Sequence, residues 1–405
     1  MPETGRQPEP IAARQMRIYL GNKPSVPVSL SALEAQARAA MQPAAWDYVM
    51  GGAGGERTSA ANLAAFDHHP IVPRMQRDVA ARDLSVHILG SRLPAPVILG
   101  PVGVQGIIHP EGELPAARAA AALGLPFCLS TVSSAAIEQV AAAIAGAMEP
   151  GALEKPPRWF QLYPSRSPEL NASLLHRAEA AGYSAAVVTL DTRFMGWRER
   201  DLDRPFLPFL QAQGLANYFT DPVFCAALAR PPKDDPAAAV QHWATLYSNP
   251  AGTWNDIRTL RSQTRLPLIL KGILHPDDAR QALDCGADAV IVSNHGGRQV
   301  DGAIAALDAL PAVVEAAGAR VPVLFDSGIR RGSDILKALA LGARAVLIGR
   351  LYCLGLAVAG EAGVRDTVLN LLADFDVTMA LSGHACARTL DRSAVALQTN
   401  PYISG

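Results

Sequence analysis

The chain has 405 residues, 49% hydrophobic and 18% charged, with a formal net charge of -1. That allows one large domain or two ordinary ones with an ample core, and it offers nothing to attract nucleic acid or an anionic membrane surface. No apolar run reaches membrane-spanning length. The five cysteines are scattered, which argues against a disulfide framework or a zinc site and for a reducing, cytoplasmic compartment.

The first ten residues are polar and Pro-rich, lack the apolar core of a signal peptide and read as a loose tail. A helical stretch follows from Leu30 to about Val49, then Gly51-Gly52-Ala53-Gly54-Gly55. Short apolar runs then recur at Pro96–Leu99, Pro126–Leu129, Trp159–Leu162, Ala186–Leu190, Pro267–Leu270, Ala289–Val292, Val321–Phe325 and Ala345–Ile348. Continuous apolar character fits strands buried on both faces, as in parallel sheets. Helical stretches separate them, and Gly182, Gly286 and Gly342 stand where a helix C-cap is wanted just before a strand. Eight such units predict a closed (β/α)8 TIM barrel over 96–385, with residues 1–95 as a tail and helical segment packed on it and 386–405 as a C-terminal tail. A doubly wound open sheet is the alternative, but Pro101-Val102-Gly103-Val104-Gln105-Gly106 lacks the spacing of the dinucleotide fingerprint. The stretch 192–265, after the fourth strand, is too long for one strand-to-helix connection. A long insertion over a barrel top acts as a lid or a partner surface.

In such a barrel the active site lies at the C-terminal ends of the strands. Those positions hold Gly103, Ser130, Gln161 with Tyr163, Thr189 with Asp191, Lys271, Ser293 with His295 and Arg298, Asp326, and Gly349 with Arg350. Chance polarity at loop starts explains one or two of these, not all. The run Ser293-Asn294-His295-Gly296-Gly297-Arg298 is the most informative. Its glycines let the backbone approach a flat ligand, its histidine can move a proton near neutral pH, and its arginine can grip a carboxylate. The bland alternative is a polar loop whose glycines only make a turn. Asp326-Ser327-Gly328-Ile329-Arg330 and Gly349-Arg350 place amides and arginines where barrels bind phosphate; a turn with surface arginines is the alternative. Lys271 suits a Schiff base or the stabilisation of negative charge on a cofactor, against a surface ion pair. Asp191 would orient His295 and raise its basicity, or cap a helix. Arg198 alone reads as part of a solvated charge run.

Taken in order, WFQLY, TLDT with GWRERD, LKG, SNHGGRQ, FDSGIRRG and IGR resemble the FMN-dependent 2-hydroxy acid oxidases and dehydrogenases, from about Trp46 to about Ala385. Within that family YVMGGAGGERT, ERDL and NYFTDPVF look most like the lactate 2-monooxygenases. The resemblance implies that Tyr48, Tyr163, Arg198 and Arg298 hold the substrate, that His295 takes its proton, and that Asp191 pairs with the imidazolium. It implies that Pro101, Val102, Gly103, Ser130, Gln161, Thr189 and Ser293 line the flavin ring and that Lys271 sits by it. Asp326 would bind the ribityl chain, with Ser327, Gly328, Ile329, Arg330, Gly349 and Arg350 around the phosphate.

The implied activity is oxidation of a small L-2-hydroxy acid, L-lactate first, with oxygen. Acetate, carbon dioxide and water result if the keto acid is retained; keto acid and hydrogen peroxide result if it leaves. A non-redox FMN-barrel isomerase is the alternative from another class, and a noncatalytic flavin-binding protein is a third. The resemblance also implies a homo-oligomer, tetramer or octamer, without nucleic acid, membrane or metal. Two positions depart from the commoner pattern: Gly103, where many oxidases have Ala, and Leu351, where Pro is usual.

Overall fold

The computed structural model describes residues 11–147 and 156–397. The loose tail expected over the first ten residues, and the end of the C-terminal tail, lie outside the described residues. Among the described residues no helix is long and apolar enough to cross a membrane.

The expected helix from Leu30 to Val49 is two helices, Leu30–Ala40 and Pro43–Met50. Pro43 explains the break. It pushes Gln42 into extended backbone (ψ 142°), and its fixed φ then starts the second helix at a position where the missing N–H costs nothing. A hairpin not anticipated from the sequence follows, β1 (Val86–Ile88) and β2 (Ser91–Leu93), joined by Leu89 and Gly90 at φ 48° and 81°. Two positive φ values in a two-residue loop match the twist of the flanking strands.

The eight barrel strands are β3 (Val97–Leu99), β4 (Phe127–Leu129), β5 (Arg158–Leu162), β6 (Ala185–Thr189), β7 (Leu268–Ile273), β8 (Ala289–Val292), β9 (Val323–Phe325) and β10 (Ala345–Ile348). All pair in parallel, and β10 closes on β3 with Val346 opposite Val97. Alternate residues divide the core. Ile98, Cys128, Trp159, Val187, Ile269, Ile291, Leu324 and Leu347 fill the barrel, while Leu99, Phe127, Phe160, Val188 and Val290 pack outward beneath the helices. Val86, Ile88 and Leu93 of the hairpin join the inner cluster. Because β2 runs straight into the start of β3, the hairpin plugs the N-terminal end and leaves the opposite end for chemistry. Gly182, Gly286 and Gly342 all have positive φ, as C-terminal caps require.

The insertion after β6 is helical, with helices at Glu199–Asp203, Ala216–Phe219, Pro222–Ala226 and Pro236–Leu246. Helix Trp254–Ser262 leads directly into β7, so it is the barrel's own fourth helix and the insertion ends before it. The described part of the C-terminal tail is docked, with Cys386 bridging Asp83 and Val395 bridging Ile71.

Candidate active site

His295 owes its position to an unusual loop. After β8 the backbone turns left-handed at three successive residues: His295 (φ 60°), Gly296 (65°) and Gly297 (74°). A Cβ on Gly297 would lie 2.5 Å from the Ser59 nitrogen, so only glycine fits there. Histidine in this region is strained and must be held by its surroundings. The side chain of Asn294 accepts from Gly297 N at 3.1 Å, and Ser327 Oγ accepts from Gly296 N at 2.9 Å. Asn62 and Asn294 exchange amide hydrogen bonds of 2.8 and 2.7 Å, which tie the loop to helix Arg57–Ala64.

The result points His295 Nδ1 at Asp191 Oδ1, 2.7 Å away. An ionised Asp191 makes Nδ1 the donor and leaves Nε2 as the acceptor. Nε2 lies 3.4 Å from the Tyr163 hydroxyl. Thr192 Oγ donates to the same Asp191 oxygen at 3.1 Å, and Gly272 makes room for the carboxylate, since a Cβ there would lie 2.8 Å from Asp191 Cβ. Burial opposes charge on Asp191, but His295 and Lys271 outweigh it and hold the carboxyl below its ordinary range. Burial pushes the imidazole pKa down, against an upward pull from Asp191. Lys271 Nζ lies 3.0 Å from Asp326 Oδ2 and donates to Ser293 Oγ at 2.8 Å. Despite burial, Asp326 and Asp191 raise its pKa, so it is a fixed cation. A Schiff-base lysine would need the opposite shift.

Two arginines face this pair. Arg298 Nη1 donates to Gly51 O at 2.6 Å and its guanidinium lies over the Tyr48 ring, 5.2 Å from the centroid. Burial and then the nearby Arg198 push its pKa down to about 10. Arg198 is buried, not solvated as its charge run alone suggested, with Nε donating to Arg298 O at 3.2 Å. Asp201 Oδ2 stands 3.9 Å from Arg198 Nη1. Burial raises the hydroxyl pKa of both Tyr48 and Tyr163, so both remain donors.

One cleft joins these groups to the loops after β3, β9 and β10. Its walls include Tyr48, Pro101, Val102, Gly103, Tyr163, Arg198, Lys271, His295, Arg298, Asp326, Ser327, Gly328, Ile329, Arg330, Gly349 and Arg350. Ser130, Gln161, Thr189 and Ser293 stand behind that lining, buried at the strand ends. Gly103 is dictated by packing, because a Cβ would lie 2.6 Å from Val132 Cγ2. Leu351 is buried in the first turn of helix Arg350–Leu381, a place that also suits Pro. Sequence reasoning missed Val132, Met195, Phe209 and Tyr247, which also line the walls. It also missed the Gly51 carbonyl, which accepts from both Arg298 and Arg350; a backbone acceptor leaves no side-chain signal.

The polar groups left unanswered in this cleft fit FMN. Four arginines and Lys271 line it against one lining carboxylate, Asp326. Arg330 donates Nη1 to Ile329 O, and burial lowers its pKa. Arg350 gives its nitrogens to the carbonyls of Val49, Gly296 and Gly51, and burial lowers its pKa strongly. Half-buried cations held this way call for an anion. Deeper in, Gln161 Oε1 accepts from Ser130 Oγ and Thr131 N, but Gln161 Nε2 and Thr189 Oγ have no hydrogen-bond partner. Orphaned buried donors beneath the cleft suit the polar edge of a flavin ring.

The FMN-dependent dehydrogenase family matches residues 37–397. An L-lactate oxidase of Lysinibacillus sphaericus is 43% identical over 88% of this chain and 89% of its own length. 2-Hydroxyacid oxidase 1 of Homo sapiens is 39% identical over 91% of this chain and 96% of its own length. Among solved structures, mandelate oxidase superposes with a TM-score of 0.79 at 38% identity, covering 93% of this chain and 100% of that one. An active mutant of (S)-mandelate dehydrogenase gives 0.80 at 36%, covering 90% and 98%. With this barrel, this cleft and these relatives, the chain belongs to the FMN-dependent dehydrogenases, enzymes that oxidise 2-hydroxy acids.

Proposed function

We propose that the chain oxidises L-lactate with molecular oxygen and holds the resulting keto acid long enough for it to be decarboxylated in place, the lactate 2-monooxygenase outcome. One observation carries the oxidation: His295, backed by Asp191, opens on a cleft where Arg298 forms no ion pair with any carboxylate among the described residues. A 2-hydroxy acid offers a carboxylate for the arginines and, one carbon away, a hydroxyl for the base.

Bound FMN supplies the acceptor for the two electrons that leave C2. Arg298 and Arg198 fix the substrate carboxylate, and the neutral hydroxyls of Tyr48 and Tyr163 donate to its oxygens. His295 Nε2 takes the departing proton, and Asp191 stabilises the imidazolium. Burial lowers the pKa of His295 below its ordinary 6.5, which favours the neutral, proton-accepting form at that pH and above. Lys271 keeps a positive charge against the cofactor, with Asp326 holding its ammonium in place. Arg330, Arg350 and the turn at Gly328 would receive the phosphate.

Lactate is supported by the apolar walls Val132, Met195 and Phe209 beside this cleft and by the likeness to the L-lactate oxidase of Lysinibacillus sphaericus. Retention is supported by the insertion. Phe209 packs on Trp243 at 4.9 Å, Trp243 on Tyr247 at 4.7 Å, and Tyr247 on Tyr163 at 6.0 Å, an aromatic chain from the insertion to the catalytic residues. A keto acid behind such a wall leaves slowly, and peroxide formed beside it attacks before escape.

The test is turnover of L-lactate in air with acetate, pyruvate and peroxide quantified. Acetate equal to oxygen consumed, with little peroxide, is expected. Pyruvate with equimolar peroxide would make the enzyme an oxidase, and no flavin reduction by lactate would overturn the substrate.

A further inference from the structure

The residue after the substrate arginine, Gln299, uses its whole amide group. Its Oε1 accepts from Arg198 Nη2 at 3.1 Å. Its Nε2 donates to the backbone carbonyls of Asp191 and Phe194, both at 2.8 Å. This pattern fixes the amide's orientation, since a flipped amide would set its oxygen against two carbonyl oxygens and its NH2 against a guanidinium. We propose that Gln299 is a positioning residue for substrate binding: it sets the Arg198 guanidinium and locks the loop carrying Asp191 to the loop carrying His295. The proposal rests on Arg198 binding the substrate carboxylate.

Arg198 is the part of the site that needs such help. Its chain reaches in from the insertion, and a long side chain entering from a loop has many rotamers to lose. Arg298 O holds its Nε and Gln299 Oε1 holds its Nη2, so one edge of the planar fork is fixed. The Nη1 edge remains, with Asp201 Oδ2 at 3.9 Å, too far for a hydrogen bond. A carboxylate arriving in the cleft therefore meets a guanidinium already turned toward it and loses little entropy in ordering it. Without Gln299, Arg198 keeps only the Arg298 carbonyl on that edge and can turn toward Asp201. The same amide spans the two catalytic loops: Asp191 and Phe194 follow β6, and Gln299 follows β8, as does His295. Both its Nε2 bonds therefore hold the Asp191 loop at the distance that the 2.7 Å bond to His295 requires.

The experiment compares Gln299→Met, Arg198→Lys and the double variant as FMN-loaded proteins. Binding of oxalate is read from the flavin spectrum, and KM and kcat for L-lactate from oxygen uptake. Gln299→Met keeps the length and loses all three hydrogen bonds. We expect oxalate affinity to fall and KM to rise, each about 10-fold or more, for loss of hydrogen bonds to a charged group, with a smaller change in kcat and FMN retained. In the Arg198→Lys background the same change should cost far less, because the group it orients is gone. Gln299→Glu keeps an acceptor for Arg198 but cancels its charge and faces two carbonyls with an anion, so it should not rescue binding. Equal Gln299→Met effects in both backgrounds, or unchanged oxalate affinity while Arg198→Lys weakens it, would overturn the inference. Unchanged oxalate affinity in Arg198→Lys itself would instead overturn the assignment of Arg198 to the substrate. If Gln299→Met does not fold, Gln299→Asn, which keeps the amide but cannot span both loops, is carried through the same cycle with the same outcomes deciding.

Discussion

Replacing Asp191 with Asn removes one charge and almost no volume, and its cost can be worked from the geometry. The carboxylate lies 2.7 Å from His295 Nδ1, and the pair is largely withdrawn from solvent, with side chains 13% and 19% exposed. An opposite charge this close favours a protonated partner by about 1–3 pKa units, or roughly 1.4–4 kcal/mol. That stabilisation is largest once His295 has taken the substrate proton, so most of it acts on the transition state. Flavin reduction by saturating lactate should fall by about 10- to 1000-fold on charge alone. The tautomer adds to this. Thr192 Oγ can hold the Asn oxygen toward Nδ1, but the other Asp191 oxygen has no partner, so the new NH2 would be buried unanswered there. An amide flipped to relieve this would donate to Nδ1, leave the proton on Nε2 and abolish the base. The sign of the pH effect follows from the same pair. Asp191 raises the His295 pKa, so its loss lowers that pKa further, and the acid limb of kcat/KM should move to lower pH even as the plateau drops. Anaerobic stopped-flow reduction across pH 5 to 9 reads both. A variant reduced within about 3-fold of the parent, with an unmoved acid limb, would refute the pairing of these residues in catalysis.

Lys271→Met leaves Asp326 without its cation and should weaken FMN binding by about 2 kcal/mol or more, ~30-fold, measured as flavin fluorescence released on dilution. Phe209→Ala opens the aromatic chain at its 4.9 Å contact with Trp243. It should raise pyruvate and peroxide at the expense of acetate while changing flavin reduction less, and an unmoved product ratio would detach the insertion from keto-acid retention. Far from the cleft, Arg82→Ala breaks a pair of 2.6 Å bonds to the largely buried Asp376 and should cost about 3 kcal/mol, seen as a lower Tm with unaltered KM.

The barrel was legible because its strands are short, continuous apolar runs and its helices end on glycines that need positive φ. The site was legible for the same reason, since a strand end is a sequence position as well as a place. Four kinds of feature were not. The Pro43 break lies inside a stretch whose helical pattern continues across it. The hairpin at Val86–Leu93 reads as weak alternation, and its role as a plug exists only once the barrel is closed. Arg198 looked solvated because its run is rich in charge, and its bonds to the 298–299 loop appear only in the folded chain. Val132, Met195, Phe209 and Tyr247 are ordinary apolar residues at scattered positions, joined by the fold alone.

The Gly51 carbonyl, shared by Arg298 and Arg350, bears on how the chain becomes an enzyme during synthesis. Its partners lie 247 and 299 positions downstream. Barrel closure waits equally long, because β3 needs β10 beside it. Contacts of such sequence separation form late and slowly. A nascent chain therefore carries Tyr48 and the 51–55 glycines exposed until nearly all of the barrel has emerged, and the cofactor's pocket has no floor, wall or counter-charge before then. Flavin capture is consequently an end-of-synthesis event. Chains ended before Arg350 should accumulate colourless however well their early helices form, and the yellow fraction of a preparation counts molecules in which the two ends of the chain have met.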